Sequence, residues 1–131
     1  MFIINGEWWY IIYVAPTDEI LLRPDGIFTV GMCDDITKTI YLSDELYGDF
    51  LKKVLAHEIT HAAMFSYDVF LTYEQEELIA DIIATFGEEI IDITNLLFNQ
   101  IRGRLNAFLF FIPNLIHHLY IFLALRRVLY I

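Results

Sequence analysis

The stretch that decides the fold is residues 54–65, VLAHEITHAAMF, in the middle of the chain. Its apolar residues recur at intervals of three and four, which is the period of an amphipathic helix. The same period begins upstream, so the sequence predicts a helix from Asp49 to about Phe65. Within it, His57 and His61 are just over one helical turn apart and therefore project from the same face, one above the other.

Residues 57–61, HEITH, form the pattern H-E-x-x-H. Its two imidazoles can reach one tetrahedral Zn²⁺ ion at about 2.0–2.1 Å. Glu58 points beside such an ion and not at it, which favours a role as general base for a zinc-bound water. The alternative is a pair of surface histidines next to a glutamate. The apolar residues around the motif argue against that alternative, because they would bury polar side chains that need a metal or partners.

A third ligand is expected downstream, because two histidines are too few for a stable metal site. Residues 77–81, ELIAD, place Glu77 and Asp81 on one face of the next helix. From their reach, Glu77 is predicted to be the third zinc ligand, and Asp81 to accept an N–H from a ligating imidazole. Glu76 is the alternative ligand if the helix phase is shifted by one residue. An ordinary charged helix start is the competing interpretation of these glutamates.

The second helix is indicated by its own start signal. Thr72 followed by Gln75 is typical of a capping box, and the helix is predicted from about Tyr73 to at least Asn99. Gly87 within it costs roughly 1 kcal/mol relative to Ala and indicates a break or a close contact.

Residues 1–43 are rich in aromatic and β-branched residues and predict short antiparallel strands. The predicted strands are residues 8–14, 19–23, 27–32 and 37–42, with a turn at Pro24-Asp25-Gly26 after the second. Polar and apolar residues alternate in the last one, TKTIYL, as in a sheet edge with one wet face. The predicted fold is therefore α+β, with a short antiparallel sheet packed on two long helices.

Charge is distributed unevenly along the chain. Residues 1–101 contain 18 acidic and four basic residues, whereas residues 102–131 contain four basic and no acidic ones. Such an acidic body argues against binding to a phosphate backbone, so no nucleic-acid partner is expected. The single cysteine, Cys33, excludes an intrachain disulfide and a cysteine-based zinc knuckle. The N-terminus has no basic segment before its apolar run, which predicts a cytoplasmic protein without a secretory signal.

The end of the chain differs in composition from the rest. Residues 105–125 contain no Asp, Glu, Lys or Arg and lie between arginines, so their length permits a membrane span. Four residues in the middle would be expensive in lipid: Pro113, Asn114, His117 and His118. The alternatives are a buried or dimer-forming helical hairpin, or a segment that is not native to the domain. The predicted division is a domain over residues 1–103 and an apolar helical tail over residues 104–131.

HEITH followed by ELIAD resembles the zincin metallopeptidases of the gluzincin type, in which the glutamate ligand lies in an E-x-x-A-D or E-x-x-x-D helix. Among these, the chain is most similar to the small one-domain metallopeptidases of bacteria and their phages, in the style of the ImmA/IrrE-like group. The resemblance covers residues 37–95. It implies one zinc ion held by His57, His61 and Glu77, with Glu58 as catalytic base and Asp81 as support.

The resemblance further implies a minimal zincin-like fold and zinc-dependent hydrolysis of peptide bonds in a peptide or protein substrate. It implies that residues 37–42 form the edge along which an extended peptide would pair. The alternative is a zinc-stabilised regulatory or binding module with little or no turnover. The chain is short for this group and leaves little material to wall a substrate cleft.

Overall fold

The computed structural model describes the backbone of residues 1–128 and the side chains of residues 1–105. The elements in chain order are β1 (Phe2–Ile4), β2 (Glu7–Val14), a 3-10 turn (Glu19–Leu21), β3 (Gly31–Asp34), β4 (Thr39–Ser43), α1 (Gly48–Ser66) and α2 (Tyr73–Val128). The fold is therefore α+β, with a four-stranded sheet and two helices, and this part of the prediction is confirmed. Met1–Glu88 form one compact unit and Glu89–Ile131 a second one.

The sheet is mixed, with the strand order β1-β2-β4-β3. β1 and β2 form an antiparallel hairpin around Asn5-Gly6, both of which have positive φ angles (48° and 82°), as a tight hairpin turn requires. β4 pairs antiparallel with β3 but parallel with β2. The prediction of a wholly antiparallel sheet is therefore wrong. The 24 residues between Val14 and Thr39 provide the crossover that a parallel pair needs.

The predicted edge strand at residues 37–42 is also wrong, because β4 lies inside the sheet between β2 and β3. Its polar residues Thr39 and Ser43 are as buried as its apolar Ile40 and Leu42. Alternation of polar and apolar residues indicated a wet face, but small hydroxyl side chains can be buried when they find partners. The Thr39 hydroxyl, for example, donates to the carbonyl of Thr37. The edge next to β4 is β3.

The predicted strand at residues 19–23 is a 3-10 turn instead. Asp18 caps this turn by accepting a hydrogen bond from the Ile20 amide. Leu21, the last residue of the turn, is fully buried. Residues 21–29 then form a short hairpin, which we call the arm, with a bridge between Leu22 and Phe28. The predicted turn at residues 24–26 lies at its tip. The predicted strand at 27–32 begins only at Gly31, and β1 was not predicted.

α1 follows the prediction to within a residue at each end. Its apolar face packs on the sheet around a core of five buried residues: Trp9, Ile40, Leu42, Val54 and Ala62. At its C-terminal end, the buried Trp9 indole donates to the Ser66 hydroxyl at 2.8 Å. This bond ties the last turn of the helix to β2.

α2 begins at Tyr73, as predicted. The capping box is present, since the Thr72 amide donates to Gln75 Oε1 at 3.0 Å and the Gln75 amide to Thr72 Oγ1 at 3.4 Å. The helix continues without a break through Gly87, where a Cβ would stand 3.3 Å from the Ile83 side chain.

The backbone of the predicted tail continues α2 as far as Val128, so the alternative of a helical hairpin is wrong, and the side chains of residues 106–131 lie outside the described residues. The predictions of a membrane span or a packing segment there stay predictions, as does the domain boundary after residue 103. In the part of the chain that is described, no helix combines the length and apolar character that crossing a membrane requires.

Candidate metal centre

The middle of α1 supplies three polar side chains to one place. The helix has no proline and no interior glycine, so His57, Glu58 and His61 keep regular helical spacing. The two imidazoles lie side by side, with their ring centroids 4.9 Å apart. Glu58 and His61 are buried, while His57 is partly accessible. The predicted burial of the motif is therefore present in the structure.

The first turns of α2 bring Glu77 onto the same point. His57 Nε2 lies 3.1 Å from His61 Nε2 and 3.6 Å from Glu77 Oε2. His61 Nε2 lies 3.3 Å from Glu77 Oε1. One ligand atom from each of these residues falls within 4.8 Å of the others, and we call His57, His61 and Glu77 the ligand cluster.

The spacing of the ligand cluster fits a small tetrahedral ion. Nitrogen and oxygen ligands at about 2.0–2.2 Å from Zn²⁺ stand roughly 3.3–3.6 Å from one another. The two Nε2 atoms are 3.1 Å apart, and Glu77 approaches His61 with Oε1 at 3.3 Å and His57 with Oε2 at 3.6 Å, all close to this range. Two imidazoles and one carboxylate are also a donor set that zinc accepts, with a fourth position left for water or substrate. The residues present therefore fit a metal ion.

Asp81 lies one turn after Glu77 and contacts the other nitrogen of the His57 ring. The distance from His57 Nδ1 to Asp81 Oδ1 is 3.1 Å. In the tautomer of His57 that carries its proton on Nδ1, Asp81 accepts a hydrogen bond from this N–H. The Nε2 lone pair of His57 is then directed at the ligand cluster. A bond of this kind sets the tautomer and the orientation of a ligating histidine.

Glu58 is placed beside the ligand cluster and is not part of it. Burial, assisted by the negative charge of Glu77, raises the pKa of the Glu58 carboxyl to about 8. Burial also lowers the pKa of His61, as does the neighbouring His57. Both shifts favour neutral forms, as expected for ionisable groups removed from water without a fixed counter-charge.

Gly31, at the start of β3, packs against the Glu58 side chain. A Cβ at this position would stand 2.6 Å from Glu58 Oε1 and 2.8 Å from Val54 Cγ1, which is closer than atoms can approach. Gly31 therefore makes room for the buried carboxyl. Sequence analysis did not single out Gly31, because a strand glycine indicates a close approach without naming the partner.

A cavity of about 640 Å³ opens onto the ligand cluster and Glu58. Its walls come from α1, the start of α2, β3 and the arm. The arm contributes Leu22, Arg23 and Pro24, so the short chain has a wall that the sequence did not reveal. The sequence predicted a turn at residues 24–26, but a turn between two strands does not show which part of the molecule it lies against.

The other polar residues near the site differ in whether they line the cavity. Glu76, the alternative ligand, lines the cavity but lies outside the ligand cluster. Tyr73 lines the cavity, whereas Tyr67 is exposed and is not among the lining residues. Cys33 also lines it from β3, and burial raises the pKa of its thiol, which makes it a poor nucleophile.

No protein-family model, curated protein or solved structure matches this chain. The roles of the site residues therefore rest on the geometry above.

Proposed function

We propose that the protein is a zinc-dependent metallopeptidase of the gluzincin type, in the style of the ImmA/IrrE-like group. The observation that carries the proposal is the convergence of His57, His61 and Glu77 at tetrahedral spacing, with the buried carboxyl of Glu58 beside them. A zinc ion bound there would supply Lewis-acid chemistry, polarising the scissile carbonyl and acidifying a water molecule.

The chain's own residues would perform the proton transfers. Glu58 lies at the cavity wall next to the ligand cluster, and a bound cation would favour its ionised form, which could take a proton from the attacking water and later give it to the leaving amine. His57 would be held in its ligating orientation by Asp81.

The substrate would lie along β3 and not along β4. β3 is the last strand of the sheet as described, and its Gly31, Met32 and Cys33 line the cavity. The outward backbone groups of an edge strand can pair with an extended peptide, which would then pass in front of Glu58.

The test is a comparison of zinc content and peptidase activity in the wild type and in Glu58→Gln. The variant is expected to keep its zinc and to lose cleavage of unfolded protein substrates, because only the proton carrier is removed. Glu77→Gln is expected to lose zinc as well, whereas Glu74→Gln, on an exposed glutamate of the same helix start, should change neither.

The competing function is a zinc-stabilised binding or regulatory module. One observation favours it: the ligand cluster takes His57 and His61 from α1 and Glu77 from α2, so a metal held there would bridge the two helices. A metal could therefore serve to fix the two helices. If wild type and Glu58→Gln both hold zinc and neither cleaves any substrate, the module interpretation replaces the peptidase.

A further inference from the structure

The described part of the second compact unit exposes many apolar side chains of α2: Ile90, Ile91, Ile93, Leu96, Leu97, Phe98, Ile101 and Leu105. Within this surface, a line along the helix that we call the stripe is formed by Ile90, Ile93, Leu97 and Ile101. The four residues follow at intervals of three and four and therefore share one helix face. Each of these side chains is about half exposed. Contiguous exposed apolar surface of this kind marks an interaction site.

The polar residue within this face is already satisfied. Thr94 lies between the stripe residues, and its hydroxyl donates to the Ile90 carbonyl at 2.7 Å within the helix. Covering the stripe would therefore leave no orphaned hydroxyl, so the face is suited to burial.

Two opposite charges flank the stripe at its ends. Glu89 precedes Ile90, and Arg104 follows Ile101, and at 100° per residue both lie on the same side of the stripe. They are 15 residues apart, which is about 22 Å along a helix. A segment with an acid at one end and a base at the other is complementary to itself when turned end to end.

We propose that the stripe is the interface of a homodimer, in which α2 helices of two copies pack antiparallel and cross near Leu97. In this arrangement Glu89 of each copy lies beside Arg104 of the other, and two ion pairs form at the ends of the stripe. A parallel arrangement would set Glu89 against Glu89 and Arg104 against Arg104, which is unfavourable.

The charges favour a second copy over a lipid surface. Helices that lie on membranes are rich in Lys and Arg along their polar face. The segment around the stripe instead carries Glu89 and Asp92 against Arg102 and Arg104. The acidic residues would be repelled by anionic lipid, whereas a second copy neutralises Glu89.

The geometry is tested by disulfide trapping in the full-length Cys33→Ser protein. Leu97→Cys is expected to cross-link efficiently, because the two copies of this position face each other at the crossing point. Ile90→Cys is the matched control on the same stripe, since its two copies would be about 20 Å apart, beyond the reach of a disulfide.

The charge pairing is tested by sedimentation velocity on the same chain without engineered cysteines. Glu89→Arg and Arg104→Glu should each weaken dimerisation by about tenfold, since two ion pairs are lost. An equimolar mixture of the two variants should recover the affinity, because every flanking contact is then between opposite charges. Asp92→Arg makes the same charge change on the opposite face and should have no effect.

Several results would overturn the homodimer. They are a monomeric wild type, equal cross-linking through Ile90→Cys and Leu97→Cys, or a mixture that dimerises no better than the single variants. Recovery of the chain only on phosphatidylcholine–phosphatidylglycerol vesicles, with no dimer in solution, would assign the stripe to a lipid surface instead. None of these measurements depends on the metal, so the homodimer and the peptidase can fail separately.

Discussion

The position of the Glu58 carboxyl depends on the absence of a single atom, the Cβ that any other residue would have in place of Gly31. The Glu58 carboxyl is buried against backbone, and its position depends on a neighbour that has no side chain. Its proton affinity and its location therefore both come from packing. Two predictions follow from these properties at the level of single residues.

Gly31→Ala is expected to displace Glu58, because the added methyl group would overlap its Oε1 atom and Val54. We expect a loss of peptidase activity of at least tenfold with zinc retained, and a destabilisation of about 1–3 kcal/mol from overpacking. Activity, zinc content and urea denaturation measure the three effects. Gly103→Ala is the control, since a Cβ there meets open space; equal losses in both variants would contradict the prediction.

The raised pKa of Glu58 predicts a pH dependence of stability in the metal-free protein. A carboxyl whose folded pKa is about 8 stays protonated in the folded state after the unfolded chain has ionised near 4.5. Stability should therefore fall as pH rises through this window, by about 2 kcal/mol between pH 6.5 and 8.5. The lowered pKa of His61 acts in the opposite direction, because the unfolded imidazole, with a pKa of 6.5, is still half protonated at pH 6.5, but it offsets at most about 0.4 kcal/mol of this fall.

Chemical denaturation of the metal-free protein across this range measures the effect, with Glu58→Gln as control. The variant should lose most of this fall, because an amide does not titrate, and the small change that remains comes from other groups such as His61. A wild-type profile as flat as that of Glu58→Gln would show that the carboxyl is not buried as described.

At the level of elements, α1 is placed by contacts at both of its ends. The helix packs on the sheet through Val54 and Ala62, and its last turn is held by the bond from Trp9 to Ser66. His57 and His61 lie between these contacts, so the orientation of their side chains depends on the packing of α1 against the sheet. The start of α2 is positioned independently by its capping box at Thr72 and Gln75.

Ser66→Ala is expected to cost about 1–3 kcal/mol, because it leaves the buried Trp9 indole N–H without its acceptor. The measurement is urea denaturation in a double-mutant cycle with Trp9→Phe. The double variant should lose much less than the sum of the two single losses, since either change removes the same bond. Additive losses would mean that this bond does not hold the helix to the sheet.

At the level of the molecule, a bound metal would connect α1 to the first turns of α2. Stabilisation by a ligand grows with its concentration over its dissociation constant and reaches about 2.7 kcal/mol at a hundredfold excess. Zinc should therefore raise the midpoint of thermal denaturation in the wild type and in Glu74→Gln. It should not do so in His61→Ala, and an equal rise in that variant would place the metal elsewhere.

The features that could be predicted from the sequence are those that depend on the spacing of residues close together in the chain. The helical period, the four-residue spacing of His57 and His61, the pair Glu77 and Asp81, and the capping box are all relations within a few turns of one helix. Because helical geometry is nearly constant, such relations can be derived from residue numbers. The α+β class follows for the same reason, from a change of period near residue 43.

The contacts between segments that are far apart in the sequence became known only from the three-dimensional structure. The parallel pairing of β2 with β4, the inner position of β4, the arm that walls the cavity and the contact of Gly31 with Glu58 all join residues far apart in the chain. The alternation of residues in a strand indicates which side chains face the core, but it does not indicate which other strand is its neighbour. The strand order depends on how the whole sheet packs on α1.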